Sequence, residues 1–349
     1  MADQPGKPID DRTFVRRTMI VLGLAALAYL AWELRNLLLM LFGAVVVATI
    51  FRALADRICK LTKWREGPVV ALSIVLVLGV FVGLIALFGT HIAQQLHTLR
   101  ETLPVAWQSF ELRVGDLGLG EQLRQLAEGV RQSSGSFANL SRALLSIGNG
   151  IAEVLIVLFG GMYLAAQPRV YKAGAIKLVP SSKRALVAQA MGESETALRL
   201  WLKGQLIAMV AVGLLTGIGL WLLGLPSAMV LGILAGLLEF IPFLGPFLAA
   251  VPGVLLALAV SPDLALGVLL LYFIIQQFEG YVLTPLVQQY EVELPGVILL
   301  FSILGFGILF GTLGVILAAP LTVVVYVLVK RLYVIEALHT PTPIPGEKS

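Results

Sequence analysis

Long apolar runs separated by short polar breaks occupy most of this 349-residue chain. The first two runs cover about 18–32 and 37–51 and are split only by Glu33-Leu34-Arg35-Asn36. Each is about 15 residues, or about 22 Å of helix, which is short against a hydrocarbon core of about 30 Å. The pattern predicts a tight helical hairpin there, with Glu33 and Arg35 at the outer interface. Further runs at 67–90, 146–166 and 204–223 are long enough to span, and the last of these ends at Gly224-Leu225-Pro226. Beyond it the runs shorten to 228–240, 247–260, 264–278, 296–310 and 311–329, broken by Gly and Pro and by the Ser261-Pro262-Asp263 turn. Segments this short predict broken or re-entrant helical hairpins, each adding an even number of passes.

The polar stretches divide the chain. Residues 1–17 form an N-terminal tail, 18–90 the N-terminal membrane helices, 91–145 an extramembrane helical module, and 146–166 a membrane helix. A basic linker at 167–203, a C-terminal core at 204–329 and a tail at 330–349 complete the division. Within 91–145, spacings such as Leu96/Leu99/Leu103 predict modest amphipathic helices. Within 167–203, Val187, Ala190, Met191, Ser194, Ala197, Leu198 and Trp201 share one helical face and predict an interfacial helix on the inner leaflet. Arg12, Arg16 and Arg17, the loop Arg52–Arg65, the 167–203 linker and Lys330-Arg331 carry most of the basic residues. They place both termini on the cytoplasmic side of the membrane.

Composition fixes the fold class. Apolar residues make up 58% and charged residues 13% of the chain, against about 25% charged in an ordinary soluble domain. Too little polar surface remains to coat a water-soluble globule, so the chain reads as an all-α, polytopic membrane protein. The net charge of +4 is unevenly placed. From Gly204 to Val329 there is no Lys, Arg or His, while Glu239, Asp263, Glu279, Glu291 and Glu293 all fall there. A strongly anionic solute would find no basic clamp in that half, so a neutral polar molecule or a cation fits better.

Enzymatic chemistry finds little support. The sequence has no G-x-x-x-x-G-K-[ST] phosphate loop and no H-E-x-x-H metal motif. His91, His97 and His339 lie outside the apolar core, and Cys59 has no second cysteine to pair with. We therefore expect no enzyme activity, no cofactor and no metal.

The candidate chemistry gathers on Gly236–Phe247, an apolar run holding one carboxylate and two prolines. A helix cannot pass unbroken through Pro242 and Pro246, and backbone groups freed at membrane depth must be satisfied by protein or trapped water. Such a break lines a permeation route, with Glu239, Pro242, Gly245 and Pro246 in it, or marks the membrane surface where a helix ends. An ionised carboxylate at lipid depth must face water or meet a cation. Gln276, Glu279 and Pro285 are candidates for the same lining, and Glu153 for a third carboxylate. Gly311, Gly314 and Pro320 are candidate hinge positions. A weak internal echo joins the two regions: Gly245-Pro-Phe-Leu-Ala-Ala-Val-Pro252 and Gly314-Val-Ile-Leu-Ala-Ala-Pro320 both run from a glycine through a small-residue pair to a proline. Paired interrupted segments point to the binding region of secondary transporters.

These segments resemble the autoinducer-2 exporter, or PerM-type, family of bacterial permeases. The resemblance rests on Gly204-Gln205, Gly224-Leu225-Pro226, Leu238–Pro246, Ala250-Val251-Pro252, Gln276–Glu279, Leu283-Thr284-Pro285, Glu293-Leu294-Pro295 and Gly311–Pro320. Where the family pattern often has His before the proline, this chain has Leu294. The resemblance implies ATP-independent export of a small neutral polar solute such as a quorum-sensing signal. Cation–proton or sodium–proton antiport is the alternative, and a non-transporting oligomeric scaffold displaying 91–145 is a third. The implied partners are a solute, the lipid bilayer, a coupling proton or sodium ion, and further copies of the chain, with no nucleic acid.

Overall fold

Residues 11–80, 82, 83, 86, 147–285 and 294–343 are described by a computed structural model. Residues 1–10, the expected module at 91–145, the end of the third predicted span, Glu291, Glu293 and residues 344–349 lie outside that set. Among the described residues every regular element is helical. Four helices are long and apolar enough to cross a membrane, or up to five if a bent pair counts as one span. The polytopic all-α architecture follows.

The helices are α1 (Asp11–Glu33), α2 (Arg35–Thr62), α3 (Glu66–Val80), α4 (Ile147–Ala166), α5 (Pro168–Lys177), α6 (Arg184–Leu222), α7 (Ala228–Leu238), α8 (Leu244–Val260), α9 (Pro262–Phe278) and α10 (Gly296–Val329). The tight hairpin expected at 33–36 does not form. Leu34 N–H donates to Leu30 O and Leu38 N–H to Leu34 O, both at 2.9 Å, so α1 ends and α2 begins on the single residue Leu34, with helical bonds on either side of it. The segment holds no Gly or Pro to stop it. Arg35 instead folds back over Trp32, with its guanidinium 4.5 Å from the ring centroid and Nη1 donating to the Trp32 carbonyl at 2.9 Å. The antiparallel pair of passes expected over 18–62 is therefore not seen.

α2 and α4 run parallel in close contact. Gly43 faces Val157, Gly161 faces Val47, and Arg52 Nε donates to the Ala165 carbonyl at 2.7 Å. After α4 the chain bends by 92° into α5. Pro168 at the first position of α5 suits a helix start, where its missing N–H costs no intrahelical bond.

α6 differs from expectation. The face at 187–201 belongs not to a separate interfacial helix but to the first half of a 39-residue helix that continues into the predicted span. One glycine at 204 costs only about 1 kcal/mol, too little to stop a helix whose flank is packed. Ala197, Leu198 and Trp201 are buried against Leu39 and Val46 of α2 and Leu317, Val323 and Val327 of α10, so protein covers this face.

The second half of α6 packs antiparallel on α7. A Cβ on Gly232 would lie 2.5 Å from Gly217 Cα and 2.7 Å from the Gly213 carbonyl oxygen, so the two backbones are in direct contact. Small residues permit this approach in an apolar setting. α9 returns along α6 and α8, burying Leu220, Leu231, Ala257 and Val268 together. Its start follows the expected Ser261-Pro262-Asp263 turn and is capped, the Ser261 hydroxyl accepting from Leu264 N–H at 3.1 Å.

One end of the bundle gathers a network of ion pairs. Arg199 of α6 donates to Asp56 of α2 at 2.7 Å and to Glu195 at 3.1 Å, and Lys172 of α5 also bonds Glu195. Lys183 pairs with Glu336 at 3.7 Å and Arg331 with Glu193 at 3.8 Å, tying the base of α6 to the turn after α10.

Candidate functional site

α7 stops at the turn Glu239–Phe243, where Pro242 can donate no hydrogen bond. Most of the remaining amides find close partners. Glu239 N–H donates to Ala235 O at 2.9 Å, Ile241 N–H to Leu238 O at 2.9 Å, and Gly245 N–H to Ile241 O at 2.8 Å. Leu244 N–H reaches back two residues to Pro242 O at 2.8 Å around Phe243, whose φ is 64° and ψ −52°. That is the rare γ-turn of positive φ, a strained conformation for any residue with a side chain. Gly245 then passes so near the end of α7 that a Cβ there would fall 2.0 Å from the Leu238 carbonyl oxygen. Proline, a strained phenylalanine and a closely packed glycine together reverse the chain from α7 into α8.

Glu239 sits at the start of this turn and is only 2% exposed. Its main-chain carbonyl, one of those left over at a helix end, accepts from Gln205 Nε2 of α6 at 2.6 Å. Its side chain points inward, where Oε2 is buried and receives no hydrogen bond from a described donor. The carboxyl of Glu279 faces it at close range. Glu279 begins a wide helical turn, Glu279–Leu283, that extends α9, and its Oε2 accepts from Gln276 Nε2 at 2.7 Å. Widened turns of this type recur where helices serve a site.

Glu239, Gln276 and Glu279 are therefore brought together from two helix ends more than thirty residues apart. Pro242, Gly245 and Pro246 shape the turn beneath them. Pro285 lies beyond the wide turn and is exposed, as is Gln277. Glu153 is not drawn in, since α4 packs on α2 and α5. Gln205 is the member that residue type alone did not single out; the signal available was a lone amide on an apolar helix facing the break.

The second set of candidates forms a comparable break. Gly311 has φ 67° and ψ −145°, outside any helical region, and divides α10 in two. A Cβ on Gly314 would lie 2.0 Å from the Phe306 carbonyl oxygen, and one on Gly307 3.0 Å from Val315. In an unbroken helix residues eight apart are about 12 Å apart, so the chain reverses at Gly311. The expected hairpin at 296–329 is present. Pro320 follows inside the returning half and is fully buried. Phe240 of the first turn and Phe310 and Leu313 of the second pack against the same cluster around Leu198, Trp201 and Leu317. Phe240 meets Trp201 edge to face at 5.8 Å. Both interrupted segments thus converge on the middle of α6.

Among the described residues no group of three or more His, Cys, Asp or Glu side chains is placed to hold a metal ion. The arrangement offers a buried carboxyl beside a half-buried one, amide donors and two backbone reversals, in a section of chain without a basic residue.

Comparison with known proteins agrees with this architecture. The sequence model described as AI-2E family transporter matches residues 19–333. The chain is 31% identical over 203 residues to YrrI of Bacillus subtilis (strain 168), covering 57% of this chain and 58% of that one. It is 28% identical over 313 residues to YueF of the same organism, covering 84% and 83%. Both carry provisional transport names. It is 24% identical over 326 residues to the AI-2 transport protein TqsA of Escherichia coli (strain K12), covering 90% of each.

Proposed function

The chain belongs to the AI-2E transporter family, and from that membership we infer that it moves a small neutral polar solute outward across a bacterial inner membrane without ATP. The solute class follows from the core. The observation that carries the reading is Glu239, a buried carboxyl with one oxygen lacking a donor, held beside Glu279 at a broken helix. A buried, unpartnered acceptor is costly unless something fills its hydrogen-bonding capacity. A hydroxylated solute does so by donating to Glu239 while the Gln276 amide and the turn carbonyls complete the contact. The absence of Lys, Arg and His from 204–329 argues against a carboxylate or phosphate ligand. AI-2, the solute for which TqsA is named, is a signal of the class these requirements describe.

Transport through this site predicts that Glu239→Gln lowers solute flux in reconstituted vesicles while leaving insertion and monodispersity intact. Flux of a panel of neutral polyols, unchanged between wild type and variant, would remove Glu239 from the pathway.

The carboxyl pair also favours a second reading, in which the same site exchanges a cation for a proton. Two carboxyl groups in contact repel when both are ionised, so a proton or a small cation between them relieves the repulsion. A sodium-dependent pH change inside vesicles, abolished in Glu239→Gln, distinguishes antiport from solute export.

A further inference from the structure

α5 is a ten-residue helix that leaves the end of α4, the apolar helix expected to enter the membrane, at 92°. A helix perpendicular to a span lies in the plane of the membrane, at the depth where the span ends. Its two sides differ in contact. Pro168 and Ile176 are half-buried and Lys172 between them bonds Glu195 of α6, so the i, i+4, i+8 row is the face turned to the protein. The opposite row is Val170, Gly174 and Leu178, with Tyr171 beside it. Val170 is 62% exposed and Leu178 88%, and no residue of α5 is buried.

Basic side chains border this outward row. Arg169 and Lys177 are exposed, and no acidic residue occurs between Ala166 and Arg184. The nearby end of α2 is similar in kind: Leu61 and Trp64 are exposed beside Lys60, Lys63 and Arg65. An apolar row rimmed by exposed cations, with aromatic residues at the same level, matches the headgroup boundary of an anionic bilayer. There aliphatic stems enter the acyl region and cationic heads meet phosphate.

We propose that the outward face of α5 is a binding surface for anionic phospholipid: Val170, Tyr171 and Leu178 enter the headgroup boundary, and Arg169 and Lys177 contact lipid phosphates. The bend after Ala166 then has a purpose, since it turns the chain from the lipid interior to its surface within one residue, Gln167. The α5 contact fixes the depth of α4 and, through Lys172 and Glu195, the base of α6.

The test uses the full chain in nanodiscs, with Cys59→Ala removing the native thiol and Val170→Cys carrying an environment-sensitive fluorophore. The expected result is quenching by lipids brominated near the headgroup and protection from aqueous iodide. In parallel, association of spin-labelled phosphatidylglycerol is compared with that of spin-labelled phosphatidylcholine. Arg169→Gln and Lys177→Gln should each lower the phosphatidylglycerol preference about fivefold, the effect of one juxtamembrane charge. Arg169→Lys with Lys177→Arg should preserve it, which separates charge from folding. Iodide quenching without bromolipid quenching would place the face in water, and shielding from both would mean that protein covers it. Either result overturns the proposal, as does a lipid preference unchanged in the glutamine variants.

Discussion

Gln205→Leu isolates a hydrogen bond that fastens the broken turn to the long helix. Leucine nearly preserves the volume and removes the donor that reaches the Glu239 carbonyl at 2.6 Å. That carbonyl lies at the end of α7, where the helix supplies no partner, and Glu239 is only 2% exposed, so water cannot readily replace the amide. An unsatisfied buried group costs about 1–3 kcal/mol; taking about 2 kcal/mol, local opening of the turn becomes about 30-fold more frequent. Hydrogen exchange on the full chain in detergent reads this directly, because the Ile241 and Gly245 amides are held by Leu238 O and Ile241 O within the turn. Peptides covering 238–246 should exchange about 30-fold faster by the same conversion, while peptides from α2 stay unchanged. A fall in melting temperature with no acceleration at 238–246 would refute the reasoning. It would make Gln205 a general packing residue rather than the fastener of the turn.

Three other substitutions test the backbone. Gly232→Ala places a methyl 2.5 Å from Gly217 Cα, where no side chain can give way. It should lower detergent stability by at least about 1–3 kcal/mol in thermal melts. Gly192→Ala in the first half of α6 meets nothing within 4 Å and should be neutral or stabilising by up to about 1 kcal/mol. Gly311→Ala forces a side chain into φ 67°, ψ −145°, a region essentially reserved for glycine, at about 1–3 kcal/mol. It should increase proteolytic cleavage near 305–315 without unfolding the α2–α4 pair.

Much of the bundle is legible in its apolar runs because burial in lipid and helical hydrogen bonding leave a chain few alternatives. The end of α4 at Ala166, the turn at Ser261–Asp263 and the reversal at Gly311 each rest on a local signal: run length, a Ser-Pro-Asp sequence, and closely spaced glycines. The reading fails where apolar periodicity does not say what covers a face. Ala197, Leu198 and Trp201 form the stripe expected of a helix on lipid, yet α2 and α10 cover it, and nothing in the stripe separates the two cases. The Glu33–Asn36 break misleads for a related reason. Polarity shows that the chain reaches an interface, but only a residue that disrupts the ladder can turn it, and Leu34 and Arg35 do not. The pairing of Glu239 with Glu279 was accessible as a pattern of acids in a base-free half. Their contact depends on α9 returning along α6, a tertiary fact with no local signature.

The internal echo takes on physical content once both reversals are compared. Gly245 and Gly314 begin the two matching segments, and each meets a carbonyl oxygen from the preceding arm at the same 2.0 Å when given a Cβ. Four residues on, Ala249 and Ala318 are both buried to 1% exposure or less, and a proline follows inside each returning helix at Pro252 and Pro320. The shared order is a glycine that permits the turn, an alanine that permits close packing, and a proline that weakens the helix beyond it. The arms nevertheless differ in what they carry. The first ends in Glu239 and meets Glu279, whereas the second has no acidic residue from Gly296 to Val329 and packs on α2 through Leu317 facing Gly43. On the proposed function a solute or ion at Glu239 would meet one reversal directly, and the Phe240, Trp201 and Phe310 cluster on the middle of α6 is the packed link from it to the other.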